Sequence, residues 1–236
     1  MKSIQVSALL FCLVFSLSAF AGPKDTTLKR GSESAPSSEK GPSTPSSAAA
    51  GSPTRAIQDL ESKTQDYRTG SNLSAEDKAK NAQIKHEVIT GTFDIRELCR
   101  LSLDNHWGER SAAEQNQFVN LMTQLLERKA VLSKEQSKTR GQNYYVNYNG
   151  ESYLDPQKTR ARVRTQAHVP KESVNVSIDY KLVKQGSQWK IFDVIVDDAS
   201  LVDNYKYQFH SIITKHGYPE LVSRINKKLS EMNSQS

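Results

Sequence analysis

Two cysteines in 236 residues exclude a disulfide framework. Cys12 sits in an apolar N-terminal run that reads as a leader, and removal of that run leaves Cys99 alone. Cys99 falls on the apolar side of a helical stretch and is expected to be a small buried hydrophobe. Beyond the first 21 residues no hydrophobic run approaches spanning length, so no transmembrane helix is expected. A glycine-rich phosphate loop and a Gly-x-Ser-x-Gly elbow are missing, which removes two common routes to phosphate or acyl chemistry. The five histidines are scattered and show no ligand spacing. His86-Glu87-Val88-Ile89-Thr90 lacks the second histidine of a zinc-protease helix, so no metal or catalytic motif is expected.

What is present begins with an export pattern. Lys2 opens a short basic region, Val6 to Phe20 is apolar, and Ala19-Phe20-Ala21 supplies a small-x-small cleavage site. Residues 1–21 are expected to be a signal peptide cut after Ala21. Lipidation at Cys12 is not expected, because Phe11 stands where a small residue is wanted. Without Lys2, 31 basic residues face 26 acidic ones, a balance of +5. Export argues against nucleic acid as the partner of that charge and favours anionic headgroups or an acidic protein surface. Residues 22–53 are rich in Ser, Pro, Gly and Ala, with Leu28 the one large apolar side chain, and are expected to form a disordered tail. The remaining stretch, 54–236, is long enough for one well-buried domain without disulfides.

Within it the period changes from helix to strand and back. Thr54 to about Ser62 and Ser74 to about Thr90 read as helices, and a shorter one leads to His106-Trp107-Gly108. Ser111-Ala112-Ala113-Glu114 is a capping box before Phe118, Leu121, Met122, Leu125 and Leu126, which fall on one helical face. From about Gln142 the period is two. Tyr144, Val146 and Tyr148 alternate with Tyr145 and Asn147. Ala161, Val163, Thr165, Ala167 and Val169 alternate with Arg160, Arg162, Arg164, Gln166 and His168. Val174, Val176, Ile178, Tyr180 and Leu182 form a third strand. After a turn at Gln185-Gly186-Ser187, Trp189 to Val196 forms a fourth strand, apolar enough to be covered on both faces. Ser200 with Asp203 caps a helix to about His216 whose apolar face carries Leu201, Val202, Tyr205, Phe209, Ile212 and Ile213. Pro219 starts the last helix, with Leu221, Val222, Ile225 and Leu229 inward. The order predicts an α+β domain with a curved, antiparallel, four-stranded sheet covered by N- and C-terminal helices.

Three stretches carry a family resemblance. Phe93-Asp94-Ile95 leading to Trp107 and the Ser111 to Gln115 helix start is one. Arg162-Val163-Arg164-Thr165 with Val176-Ser177-Ile178-Asp179-Tyr180 is another. The strongest is Trp189-Lys190, Asp193-Val194, Ser200-Leu201-Val202, Asn204-Tyr205 and Gln208-Phe209 in that order. Together they resemble the MlaC family of periplasmic phospholipid carriers, from about Ser74 to Leu229. Asp197-Asp198-Ala199 replaces the family's usual Glu-Gly pair, Asn105-His106 replaces a more basic sequence, and the long tail is atypical. The resemblance implies an NTF2-like fold with an apolar cavity in the 54–236 domain, phospholipid as cargo rather than a cofactor, and a periplasmic location. It also implies an inner-membrane ABC transporter with an MCE-domain ring and an outer-membrane lipoprotein complex as partners, a monomeric carrier, and a role in outer-membrane lipid asymmetry.

Candidate cavity residues are Val163, Val176, Ile178, Tyr180, Phe192 and Val194 on the sheet. Facing them on helices are Trp107, Phe118, Tyr205, Phe209, Ile212 and Ile213. Periodicity does not distinguish a hollow interior from a packed one. Arg160, Arg162 and Arg164 share a strand face that either meets a headgroup or partner or is a solvated surface. The tyrosines 144, 145, 148 and 153 read as strand formers. Asp193 and Asp197 would share a strand face, which leaves open an isomerase-like carboxylate in an apolar pocket. A non-lipid periplasmic adaptor with a solid core is the other alternative. No enzyme activity is expected.

Overall fold

Capping chemistry sets where the helices start in the computed structural model, which describes residues 47–63, 66–68, 70, 72–129, 145–169 and 174–233. The signal peptide, the tail up to residue 46 and Tyr144 lie outside the described residues. Helix α1 spans Pro53–Ser62, α2 Ala75–Thr92, α3 Ile95–Leu103, the single turn α4 Asn105–Gly108, and α5 Ala112–Lys129. Ser74 and Asp77 form a reciprocal capping box at α2. Ser111 and Glu114 do the same at α5, with backbone-to-side-chain bonds of 2.8 and 3.3 Å. Asp94 caps α3 by accepting from the Glu97 N–H at 2.9 Å. The helix expected to run to Gly108 divides at Asp104, whose positive φ of 49° ends α3 before α4 begins.

Strands β1 (Tyr145–Tyr153), β2 (Arg160–Val169), β3 (Val174–Gln185), β4 (Gln188–Val196) and β5 (Ala199–Ser200) form one antiparallel sheet in chain order. Helices α6 (Leu201–His216) and α7 (Tyr218–Asn233) close the chain. The sheet therefore has five strands where four were expected. Asp197 and Asp198 both take positive φ, 45° and 66°, and that two-residue turn folds Ala199 and Ser200 back onto Val196 and Ile195. Aspartate tolerates this left-handed region better than most residues, which suits it to a tight hairpin turn. Gly186, at φ 58°, serves the β3–β4 hairpin in the same way.

The tail boundary also moves. Pro53 is buried as the first residue of α1, and the Trp189 indole donates to the Gly51 carbonyl at 3.0 Å. Residues 47–53, assigned by composition to the tail, thus lie against the domain. Helix α1 packs on β1, β2 and β4, and Ile57 and Leu60 join the main core. Helix α3 lies along α6, while α5 packs on α2, α3 and α7. The α2–α3 corner is tied to the sheet: Asp94 N–H donates to the Ile191 carbonyl at 2.8 Å, and Gln185 Nε2 donates to the Asp94 carboxylate at 2.6 Å.

Candidate functional site

Register decides which side chains share a face. Ala161 pairs with Leu182, Val163 with Tyr180, Thr165 with Ile178 and Ala167 with Val176. Across the next pair, Tyr180 meets Val194, Ile178 meets Val196, and Leu182 meets Ile191. Directly opposed residues point the same way, so these side chains pave one face, and all but the half-buried Val196 are buried. Its polar groups are the buried Tyr180 phenol and the Thr165 hydroxyl, which donates to the Ile178 carbonyl at 2.7 Å. Val163, Val176, Ile178, Tyr180 and Val194 are therefore brought together.

Phe192 is not with them. A bulge opposite Lys181 and Leu182 pairs those residues with Asp193 and Ile191, leaving Phe192 as the extra residue. The Arg160 guanidinium lies 4.9 Å from the Phe192 ring centre. The phenyl ring thus packs on the arginine side of the sheet, because one inserted residue cancels the strict alternation on which its assignment rested.

On the helices, Phe118 and Phe209 are fully buried and meet edge to face at 5.6 Å. Tyr205 stacks on Phe209 at 4.9 Å, and Phe118 also approaches Tyr218 at 6.2 Å. Burial, with nearby Cys99 adding to it, pushes the Tyr205 phenol well above its ordinary range. Burial likewise pushes the Cys99 thiol far up, which makes it an inert core residue. Ile212 is buried, Ile213 and Trp107 are half-buried, and all three pack on the same core. Trp107 is held by Arg96, 5.7 Å from its ring centre, and by Gln115 Nε2, which donates to its carbonyl at 3.1 Å. The core also contains Ile57 and Leu60 of α1 and Ile84, Val88 and Ile89 of α2, which are not among the candidate cavity residues. Their apolar spacing was the available signal.

The opposite sheet face is organised by charge. Arg160 pairs with Glu97, and Arg162 pairs with Asp179, its Nε 2.7 Å from the carboxylate. Arg164 is exposed. The hydrogen bond from Arg100, with that from Arg160, holds the Glu97 carboxyl below its ordinary range despite partial burial. Asp193 is buried on this face. It accepts from Lys181 Nζ at 3.1 Å, Ser200 Oγ at 2.9 Å and the Val202 N–H at 3.1 Å. Asp197 does not share a strand face with it: it lies in the turn after β4 and accepts from the Ser177 N–H at 3.0 Å. Both buried carboxylates among the described residues, Asp179 and Asp193, thus have cationic partners and face away from the apolar surface. Neither Asp193 nor Asp197 is therefore the carboxylate in an apolar pocket that the isomerase-like alternative calls for.

A profile of the family described as MlaC protein matches residues 60–227. No curated protein matches the chain. Among solved structures, a phospholipid-binding protein from Ralstonia solanacearum, in complex with a phospholipid, superposes with a TM-score of 0.57 at 20% identity. The match covers 76% of this chain and 96% of that one.

Proposed function

The chain belongs to the MlaC family, and from that membership and the apolar sheet face we propose that it carries phospholipid, with the acyl chains held between the sheet and its helices. The carrier acts in the periplasm of a two-membrane cell, on an NTF2-like framework. It accepts lipid from or delivers it to an inner-membrane ABC transporter with an MCE-domain ring, exchanges with an outer-membrane lipoprotein complex, and so maintains outer-membrane lipid asymmetry. It has no catalytic role.

The single observation behind this reading is the uncharged inner face. Sheltering a methylene is worth roughly 0.8 kcal/mol, so two acyl chains with about 30 methylenes need on the order of 20 kcal/mol of shielding. Only an extended apolar surface meets that demand, and Val163, Val176, Ile178, Tyr180 and Val194 supply one within the same buried cluster as Phe118, Tyr205 and Phe209. Arg160 and Arg162 already have carboxylate partners, which favours little headgroup selectivity. The test is organic extraction and native mass spectrometry of protein expressed with its export segment. Diacyl phospholipid in the proportions of the host membrane is expected. Repeated extracts without phospholipid would refute the carrier and favour a solid adaptor.

A further inference from the structure

Residues 106 and 210 are 104 positions apart, yet His106 Nε2 and His210 Nδ1 lie 3.2 Å from each other, with ring centroids 5.3 Å apart. One imidazole comes from α4 and the other from α6. The His106 side chain is only 17% exposed, and its second nitrogen, Nδ1, faces Glu109 Oε2 at 3.4 Å. Beside the pair, Asp104 is tied to Lys206 at 3.0 Å, and Glu109 also meets Arg110 at 3.2 Å.

These spacings can be set against coordination geometry. Two imidazole nitrogens, each about 2.05 Å from a tetrahedral zinc ion, lie about 3.3 Å apart, and their ring centres about 5.2 Å apart. Both separations agree with those observed, as they do with a direct hydrogen bond between the two rings, so the two arrangements are separated by titration. A carboxylate on the second ring nitrogen is also the usual companion of a metal-bound histidine, because it fixes the tautomer and raises the basicity of the donor nitrogen. No group of three or more His, Cys, Asp or Glu is placed to hold a metal among the described residues. The described residues would therefore supply two donors, with water completing the coordination, as suits an exchangeable ion.

We propose that His106 and His210 bind one divalent transition-metal ion of the Zn²⁺ or Cu²⁺ class, oriented through Glu109, and that the ion joins α4 to α6. Imidazole donors select this class over Mg²⁺ or Ca²⁺, which prefer oxygen. His106 directly precedes the half-buried Trp107 and His210 directly follows the buried Phe209, so the ion fixes this end of the helical layer. The proposal does not depend on what the interior carries.

The full-length chain, freed of metal, is titrated with Zn²⁺ and separately with Cu²⁺ against a chromophoric chelator, and melting temperature is followed with and without each ion. His106→Asn and His210→Asn are compared with His86→Asn, a surface histidine paired with Glu127. One ion per chain is expected. Loss of an outer-shell partner alone weakens such sites about 10–100-fold, so loss of either ligand should weaken binding at least tenfold. The metal-induced rise in melting temperature should vanish in the same two variants and persist in His86→Asn. Circular dichroism establishes that each variant is folded. Absence of a stoichiometric ion, or an affinity that survives either ligand substitution, overturns the site and leaves a pair sharing a hydrogen bond.

Discussion

Replacing Asp193 by alanine removes the acceptor for three donors at once. Lys181 is 31% exposed against 2% for Asp193, so its ammonium can turn to water and its loss counts for little. The Ser200 hydroxyl and the Val202 N–H have no such exit, since both residues are buried beneath the start of α6. Each buried donor left unsatisfied costs about 1–3 kcal/mol, giving about 4 kcal/mol for the two, in line with the 3–5 kcal/mol typical of breaking a buried pair. For a domain of this size that corresponds to a melting temperature about 8–16 °C lower. Asp193→Asn keeps an acceptor and should lose roughly half as much. Urea unfolding followed by the fluorescence of Trp107 and Trp189 reads both. Because Asp193 faces away from the apolar surface, the folded fraction of either variant should retain wild-type phospholipid. A change below about 1 kcal/mol would show that the network is not structural. A stable variant that loses its lipid would show that the carboxylate serves the site.

Val163→Trp and Val176→Trp enlarge two buried side chains on the inner sheet face. In a packed interior the added ring forces about 1–3 kcal/mol of strain, whereas in a carrier it occupies space used by acyl chains, so both variants should stay folded and carry less phospholipid. Sharp destabilisation of both, with no lipid in the wild type, would mean a solid core. The pH dependence of stability should reflect Glu97, whose folded-state carboxyl is depressed chiefly by Arg100 and also by Arg160. A depressed carboxyl stabilises above its ordinary value of 4.5 and loses that contribution as pH falls through the lower folded value. The stability gap between wild type and Glu97→Gln should therefore be full near neutrality and close in acid. A gap that widened below pH 4.5 would reverse the assignment.

Local chemistry was readable in the chain because it depends on residues within a turn of each other. Ser74, Ser111 and Ser200 mark helix starts through bonds to residues three positions on. The alternation in Ala161 to Ala167 separates the apolar face from Arg160, Arg162 and Arg164. Where one inserted residue breaks the period, strict alternation assigns Phe192 to the face it does not occupy, since a bulge is fixed by the partner strand and leaves no mark in the strand's own spacing. The fifth strand escaped detection because two residues carry no periodicity.

The sequence by itself determined the α+β order, the helix caps, the apolar sheet face and the family. Tertiary structure alone decided the partners of charge and imidazole: Glu97 for Arg160, Lys181 for Asp193 against the N-terminus of α6, and His210 for His106 across 104 positions. Periodicity records how often a side chain faces the core, and it does not record which distant side chain it meets. That is set by strand register and helix packing, which the whole chain determines together.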